Sequence, residues 1–144
     1  MSAAVHRPRR WSETVDGILW LPRMIDKARM QQQGQLGIYL LGHSPVDASL
    51  MKRLNVTTAE FETIVKTSAD DAAALVALRQ RGFDEARVRR WSERFPRTFR
   101  WFIPIWDVDE GYIKPNLMNR LGLMLIRALE WPTSALVRTF RRAP

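Results

Sequence analysis

No cysteine occurs among the 144 residues of this chain. Its absence excludes a disulfide framework, a thiol nucleophile and any zinc site built on thiolates, and it agrees with a reducing compartment. Histidine is almost as scarce, with 2 in the chain, and only His43 lies away from the N-terminus. Long hydrophobic runs are missing too. The longest apolar stretch of the C-terminal half, Leu121 to Ile126, falls far short of the ~20 residues a membrane-spanning helix needs. The basic segment Met1 to Arg10 is followed by no apolar run, and Glu13 and Asp16 interrupt what a secretion signal requires. A cytoplasmic location is therefore expected. Acidic residues run out near the end: after Glu110 only Glu130 remains.

What the chain does have is arginine. Of 23 basic residues 19 are arginine, and the net charge is +8. The excess is uneven. Residues 1–78 hold 9 basic and 8 acidic groups, residues 79–110 hold 8 and 6, and residues 111–144 hold 6 and 1. A C-terminal patch of this kind attracts nucleic acid, anionic lipid or an acidic partner. The remaining composition, 46% hydrophobic and 26% charged, is that of a soluble globular protein. The length reads as one domain spanning 1–144, large enough to bury about two-thirds of its unfolded surface without a metal or disulfide.

Local signals predict helices throughout. Ser44-Pro45-Val46-Asp47, Thr57-Thr58-Ala59-Glu60 and Ser68-Ala69-Asp70-Asp71 read as capping boxes, in which a hydroxyl accepts from a free backbone N–H and an acid reaches back. Apolar residues at helical spacing follow each: Leu50, Met51 and Leu54; Phe61, Ile64 and Val65; Leu75, Val76 and Leu78. Gly82 reads as a stop, and Asp84 caps a helix carrying Val88, Trp91 and Phe95 that Pro96 should end. Upstream, Pro22 starts a helix with Leu21, Met24, Ile25 and Ala28 on its apolar face, which stops at Gly34. The glycine-punctuated stretch Gly34 to Gly42 is too interrupted for a helix and suggests a short extended segment near 36–41. Downstream, Pro104 should prevent a long helix, Asp107 to Tyr112 reads as a loop, and Pro115 opens a helix with Leu117, Leu121, Met124, Leu125 and Ala128 on one stripe. A last short helix is expected to run to about Arg142. The expected fold is all-α, a compact bundle of five to seven short helices.

Four charges on the proline-initiated helix form the principal candidate site: Arg23, Asp26, Lys27 and Arg29. Arg23 and Lys27 are four apart and share a face, while Asp26 is three from both Arg23 and Arg29. In the functional reading Arg23 and Lys27 clamp a phosphate or carboxylate and Asp26 orients Arg29. The competing reading is a solvated surface pair of Asp26 with Arg29 or Arg23. His43 with Asp47 offers a base and a carboxylate, but no nucleophile stands in a recognisable context. Asp107-Val108-Asp109-Glu110-Gly111 fails as a calcium loop, because its glycine comes one position early and Met118 stands where a glutamate is needed; a looser magnesium site at Asp107 and Asp109 is a weaker alternative. The arginines from Arg79 to Arg100, interleaved with Phe83, Trp91, Phe95, Phe99 and Trp101, have the composition of a single-strand nucleic-acid surface, although Trp91 and Phe95 also fit the apolar stripe of a helix.

Leu21-Pro22-Arg23-Met24-Ile25-Asp26-Lys27-Ala28-Arg29, with Gly34-Gln35-Leu36-Gly37-Ile38-Tyr39, Pro45-Val46-Asp47 and Trp106-Asp107-Val108-Asp109-Glu110-Gly111, resembles a small bacterial family known as domain of unknown function 5069. The resemblance spans roughly residues 11–112 and leaves 113–144 as a basic, amphipathic helical extension. It implies a compact bacterial protein, and no activity is established for the family. It also groups Arg23, Asp26, Lys27, Tyr39 and Asp47 as a shared pocket.

These readings lead to a non-catalytic binding or interaction module recognising an anionic small molecule or an acidic protein surface. The candidate ligand-binding residues are Arg23, Asp26, Lys27, Arg29, Tyr39 and Asp47, with no metal and no cofactor implied. One alternative is nucleic-acid binding through the Arg/aromatic region and the basic tail. Another is a small enzyme using Asp26, His43 or Asp47 on an anionic substrate held by Arg23 and Lys27. The basic apolar tail adds weak peripheral membrane contact as a further expectation.

Overall fold

A computed structural model describes residues 7–35, 37, 39, 41–112, 114, 116–118, 120–122, 124, 125 and 128. The chain falls into two units, Met1–Phe95 and Pro96–Pro144, and the architecture is mostly helical.

The first unit opens with a hairpin that the periodicity argument passed over. Strands β1 (Thr14–Val15) and β2 (Ile18–Leu19) pair antiparallel, with Thr14 opposite Leu19 and Val15 opposite Ile18. The connection is Asp16-Gly17, with φ of 48° and 76°. A two-residue turn with both φ values positive matches the natural twist of paired strands, and Asp-Gly is a favoured sequence for it. Of the extended segment expected at 36–41, Leu36, Ile38 and Leu40 lie outside the described residues, and Gly37, Tyr39 and Leu41 are in turns or irregular backbone.

Five helices follow the hairpin: α1 (Leu21–Gln32), α2 (Pro45–Arg53), α3 (Thr58–Thr67), α4 (Asp71–Arg79) and α5 (Glu85–Thr98). Helix α1 packs on α3, and α3 on α4. The apolar stripe anticipated on α1 is buried: Leu21, Met24, Ile25 and Ala28 are all 0% exposed. Burying each such Leu, Ile or Met contributes about 1.5–3 kcal/mol. Phe61, Leu50, Leu54, Leu78 and Val88 complete this core. Phe95 sits among three indoles, with ring centroids 5.9 Å from Trp11, 5.6 Å from Trp20 and 5.2 Å from Trp91. These are offset or edge-on distances that aromatic pairs favour.

Helix ends test the capping arguments one by one. Thr57 and Glu60 form the full reciprocal box. Ser44 accepts from the Asp47 N–H at 3.0 Å, but the Asp47 carboxylate does not return to cap; it turns inward. At α4 the cap is Asp70, whose Oδ1 accepts from the Ala73 N–H, and Ser68 instead ends α3 by donating to the Ile64 carbonyl. The expected box at 68–71 is thus shifted by two residues, because the extended Asp70 stands directly before the helix and offers a charged acceptor to its free N–H groups. Asp84 caps α5 as expected, accepting from the Arg87 N–H.

Pro96 stands inside α5 rather than ending it, and the helix stops two residues later at Thr98. Proline removes one ladder bond and disfavours the helical region for its predecessor, so its effect is felt within the last turn. The second unit holds α6 (Ile103–Asp109). This corrects the expectation of a loop beginning at Asp107. Pro104 falls in the first turn, where no backbone N–H is required, and the helix that it opens is short, at 7 residues. Residues 117, 118, 120–122, 124, 125 and 128 are also helical. Pro115, and the last helix expected towards Arg142, lie outside the described residues.

Candidate functional site

Trp20 is the pivot of the site. It precedes α1 with φ 68° and ψ −21° and makes no capping bond. A bulky residue in the left-handed region costs on the order of 1–3 kcal/mol and persists only when its surroundings hold it. The surroundings here are explicit. The indole Nε1–H donates to Asp47 Oδ1 at 2.7 Å, and the ring packs against Phe95 at a tilt of 36°.

Asp47 is fully buried, and its two oxygens serve several donors. Lys27 Nζ donates to Oδ1 at 3.0 Å and to Oδ2 at 2.9 Å. The Gly42 N–H donates to Oδ2 at 3.0 Å. Gly42 has φ +78°, and a Cβ there would lie 2.2 Å from Thr58 Oγ1, so only glycine lets the backbone turn its N–H toward the carboxylate. Lys27 is 4% exposed, and its ammonium also lies 5.6 Å from the Trp20 ring centroid. The Arg23 guanidinium, 5% exposed, lies 5.1 Å from the Trp20 centroid and 5.7 Å from that of Tyr39. Such desolvated cation–π contacts are worth up to about 2 kcal/mol.

A second network lies on the same helix. The Arg9 guanidinium forks onto Asp26, Nε to Oδ2 and Nη2 to Oδ1, each at 2.8 Å, and the Arg9 backbone N–H adds a third bond at 2.8 Å. Arg9 Nη1 meets Asp71 Oδ2 at 2.7 Å, and Arg29 meets Asp71 Oδ1 at 2.8 Å. Arg23 Nη1 donates to the Arg9 carbonyl at 3.0 Å, linking the two networks through the N-terminal segment. The Asp26 hydrogen bond, aided by Asp71, holds Arg9 more firmly protonated than a free arginine despite the opposing cost of burial. Burial alone would raise the Asp71 carboxyl, but the bonds from Arg9 and Arg29 outweigh it and hold the group below its ordinary value.

The candidate residues therefore divide. Arg23, Lys27, Tyr39 and Asp47 come together around Trp20, while Asp26 and Arg29 join Arg9 and Asp71. Asp26 does not orient Arg29; each pairs with a partner remote in sequence. A solvated surface pair of Asp26 with Arg29 or Arg23 does not describe the site either, since Asp26 pairs with Arg9 and Arg23 is buried. The cation clamp is also not open as drawn, since Lys27 is committed to Asp47. His43 is exposed, and the Asp47 oxygens face Trp20, Lys27 and Gly42. Chemically the arrangement is a set of buried, mutually paired charges. Among the described residues no group of three or more metal-ligating side chains stands close enough to hold an ion, and no helix is long and apolar enough to cross a membrane.

Sequence reasoning missed Arg9, Trp20 and Asp71. Arg9 and Asp26 are 17 positions apart, beyond any helical spacing rule, and Asp71 was absorbed by a capping argument. A hollow of about 460 Å³ does exist between α3 and α4, lined by Ala59, Thr63, Ile64 and Ala77 with the paired Glu60 and Arg81 at its edge. It includes none of the candidate site residues.

No curated protein and no solved structure matches the chain. A family match does exist, and it runs over residues 5–102. It begins earlier than the resemblance at 11–112, so that it takes in Arg9, and it ends before the acidic stretch Trp106 to Gly111 that was counted as supporting. Every residue of the two networks falls inside it, and the chain belongs to the family described as Domain of unknown function (DUF5069).

Proposed function

We propose that this chain is a non-catalytic binding module for an anionic partner, with the α1 networks as its internal scaffold and the outer side of α5 as its contact surface. The observation that carries this reading is the exposed arginine stripe of α5. Arg87, Arg90 and Arg94 recur at i, i+3 and i+7 and are all exposed, opposite a buried face of Val88, Trp91, Ser92 and Phe95. Among the described residues none of these arginines is ion-paired, whereas Arg79, Arg81 and Arg89 each meet a carboxylate. A convex helix face suits an extended acidic surface better than a small metabolite, which calls for a concavity with convergent polar groups. The non-catalytic part of the reading is supported by Lys27 and Asp47, whose reactive atoms are buried against each other.

Nucleic acid is the second reading. Trp91 and Phe95 are buried and unavailable for base stacking, but Trp101 is 73% exposed with the Arg100 guanidinium 5.0 Å from its ring centroid, an arrangement that suits a stacked base.

Fluorescence anisotropy with labelled polyglutamate and with a labelled single-stranded oligonucleotide tests both. The proposal expects polyglutamate binding that falls with salt and drops at least about tenfold, or ~1.4 kcal/mol, in Arg87→Glu/Arg90→Glu/Arg94→Glu at unchanged Tm. Oligonucleotide binding that quenches Trp101 and survives the triple change favours the second reading. Absence of binding to either polymer at low salt overturns both.

A further inference from the structure

The second unit carries an apolar surface that the α5 reading does not use. On a helical period Leu117, Leu121, Met124, Leu125 and Ala128 fall on one stripe, with Met118 beside it. In the folded chain this stripe faces outward: Leu117 is 74% exposed, Met118 77%, Leu121 50%, Met124 68% and Leu125 66%. Single exposed leucines are ordinary on protein surfaces, but a contiguous row of large apolar side chains marks a contact surface.

Charge selects the occupant. The segment 111–144 holds 6 basic residues against 1 acidic, and Lys114 and Arg120 beside the stripe are exposed. Two copies meeting through this segment would bring like charge against like charge. An anionic bilayer offers what both faces need, an acyl interior for the leucines and methionines and headgroup charge for the cations. Methionine adds a flexible, polarisable side chain that adapts to an irregular surface. Trp131, next in the sequence after Glu130, is a residue type that favours the headgroup boundary.

We propose that the helical residues Leu117, Leu121 and Leu125 lie in the interface of an anionic membrane, their side chains among the acyl chains and the neighbouring Lys114 and Arg120 on the headgroups. The contact is peripheral and reversible, because so short an apolar row inserts only partway.

Vesicle flotation of the full chain is the test, with phosphatidylglycerol/phosphatidylcholine vesicles and phosphatidylcholine vesicles run side by side. The expected result is co-flotation with the anionic vesicles alone, weakened by salt on the order of severalfold per basic residue engaged. Leu121→Glu/Leu125→Glu should cut the bound fraction at least tenfold while far-UV circular dichroism stays unchanged, since both positions are exposed. Should that variant misfold, Lys114→Glu/Arg120→Glu, which alters no apolar residue, should weaken binding in the same direction. The α5 variant Arg87→Glu/Arg90→Glu/Arg94→Glu should float like the parent, which separates this inference from the α5 reading. The inference is overturned by absence of co-flotation with anionic vesicles, by equal flotation with phosphatidylcholine alone, or by flotation insensitive to both stripe variants. It is equally overturned by a dimer in sedimentation that dissolves on Leu121→Glu/Leu125→Glu, which would assign the stripe to a second copy.

Discussion

A buried charge is tolerated only when its partner is present, and Lys27 with Asp47 illustrates the rule at the scale of single residues. Their side chains are 5% and 0% exposed. Removing one member leaves the other buried and uncompensated, which typically costs about 3–5 kcal/mol, whereas replacing both is far milder. Lys27→Met should therefore destabilise the fold by an amount in that range in urea denaturation. Lys27→Met/Asp47→Asn should recover only part of the loss: the asparagine oxygen still accepts from Trp20 Nε1–H without a charge, but its NH2 then stands against the Gly42 N–H. A double variant as unstable as the single one would show that the carboxylate has a role beyond matching the ammonium. Spacing on α1 had grouped Arg23, Asp26, Lys27 and Arg29 as one candidate site. The burial of Arg23 and Lys27 could not be read from that spacing, because it depends on Asp47 and Arg9 arriving from other segments and on the left-handed Trp20 holding its indole against both cations.

At the scale of elements, the hairpin shows a readable signal and the α1 contacts an unreadable one. Asp16-Gly17 between Val15 and Ile18 is a strong local cue for a two-residue turn, and β2 is tied to α5 by the Leu19 N–H bond to Ser92 Oγ at 3.1 Å. Gly17 has φ +76°, a region that costs an L side chain about 1–2 kcal/mol. Gly17→Val should lower stability by at least that amount, read as a drop in the urea midpoint with the m-value unchanged. An unaltered midpoint would mean that the turn contributes nothing to the fold. The helices themselves followed from caps and periodicity, as at Thr57 and Glu60. The errors at 68–71 and 107–109 came from neighbouring residues able to play the same local part: two acids beside one serine, and a proline that starts a helix as readily as it stops one.

For the molecule as a whole, the ion pairs set the response to acid. Asp71 is held below the ordinary carboxyl value by Arg9 and Arg29. Asp16 is lowered chiefly by its bond from Arg79, and Glu60 by the Thr57 backbone N–H. A lowered folded-state value means stability that is complete above the unfolded value and is lost as pH falls through the folded one. Thermal stability should thus hold near neutrality and decline below about pH 4, where free carboxyls titrate. Asp71→Asn should be less stable than the parent at neutral pH and show a shallower decline between about pH 4 and pH 2. A parallel decline in the two proteins would remove Asp71 from the acid response. The arginine excess that composition announced is thereby divided by function. Arg9, Arg29 and Arg79 answer acids within the fold, while Arg87, Arg90 and Arg94 remain outside it and carry the proposed binding surface.

Composition and local pattern alone determined the helical class, most helix starts, the exclusion of thiol chemistry, the basic C-terminal segment and the family, because each depends on residues within a turn or two of one another or on a contiguous motif. Which charges are buried, and whom they meet, was decided only by the fold. Arg9 reaches Asp26 and Asp71, and Trp20 reaches Asp47, across segments whose approach depends on how α1, α2 and α4 pack. The desolvation that turns a surface charge into an internal tie is a property of that packing and has no local signature.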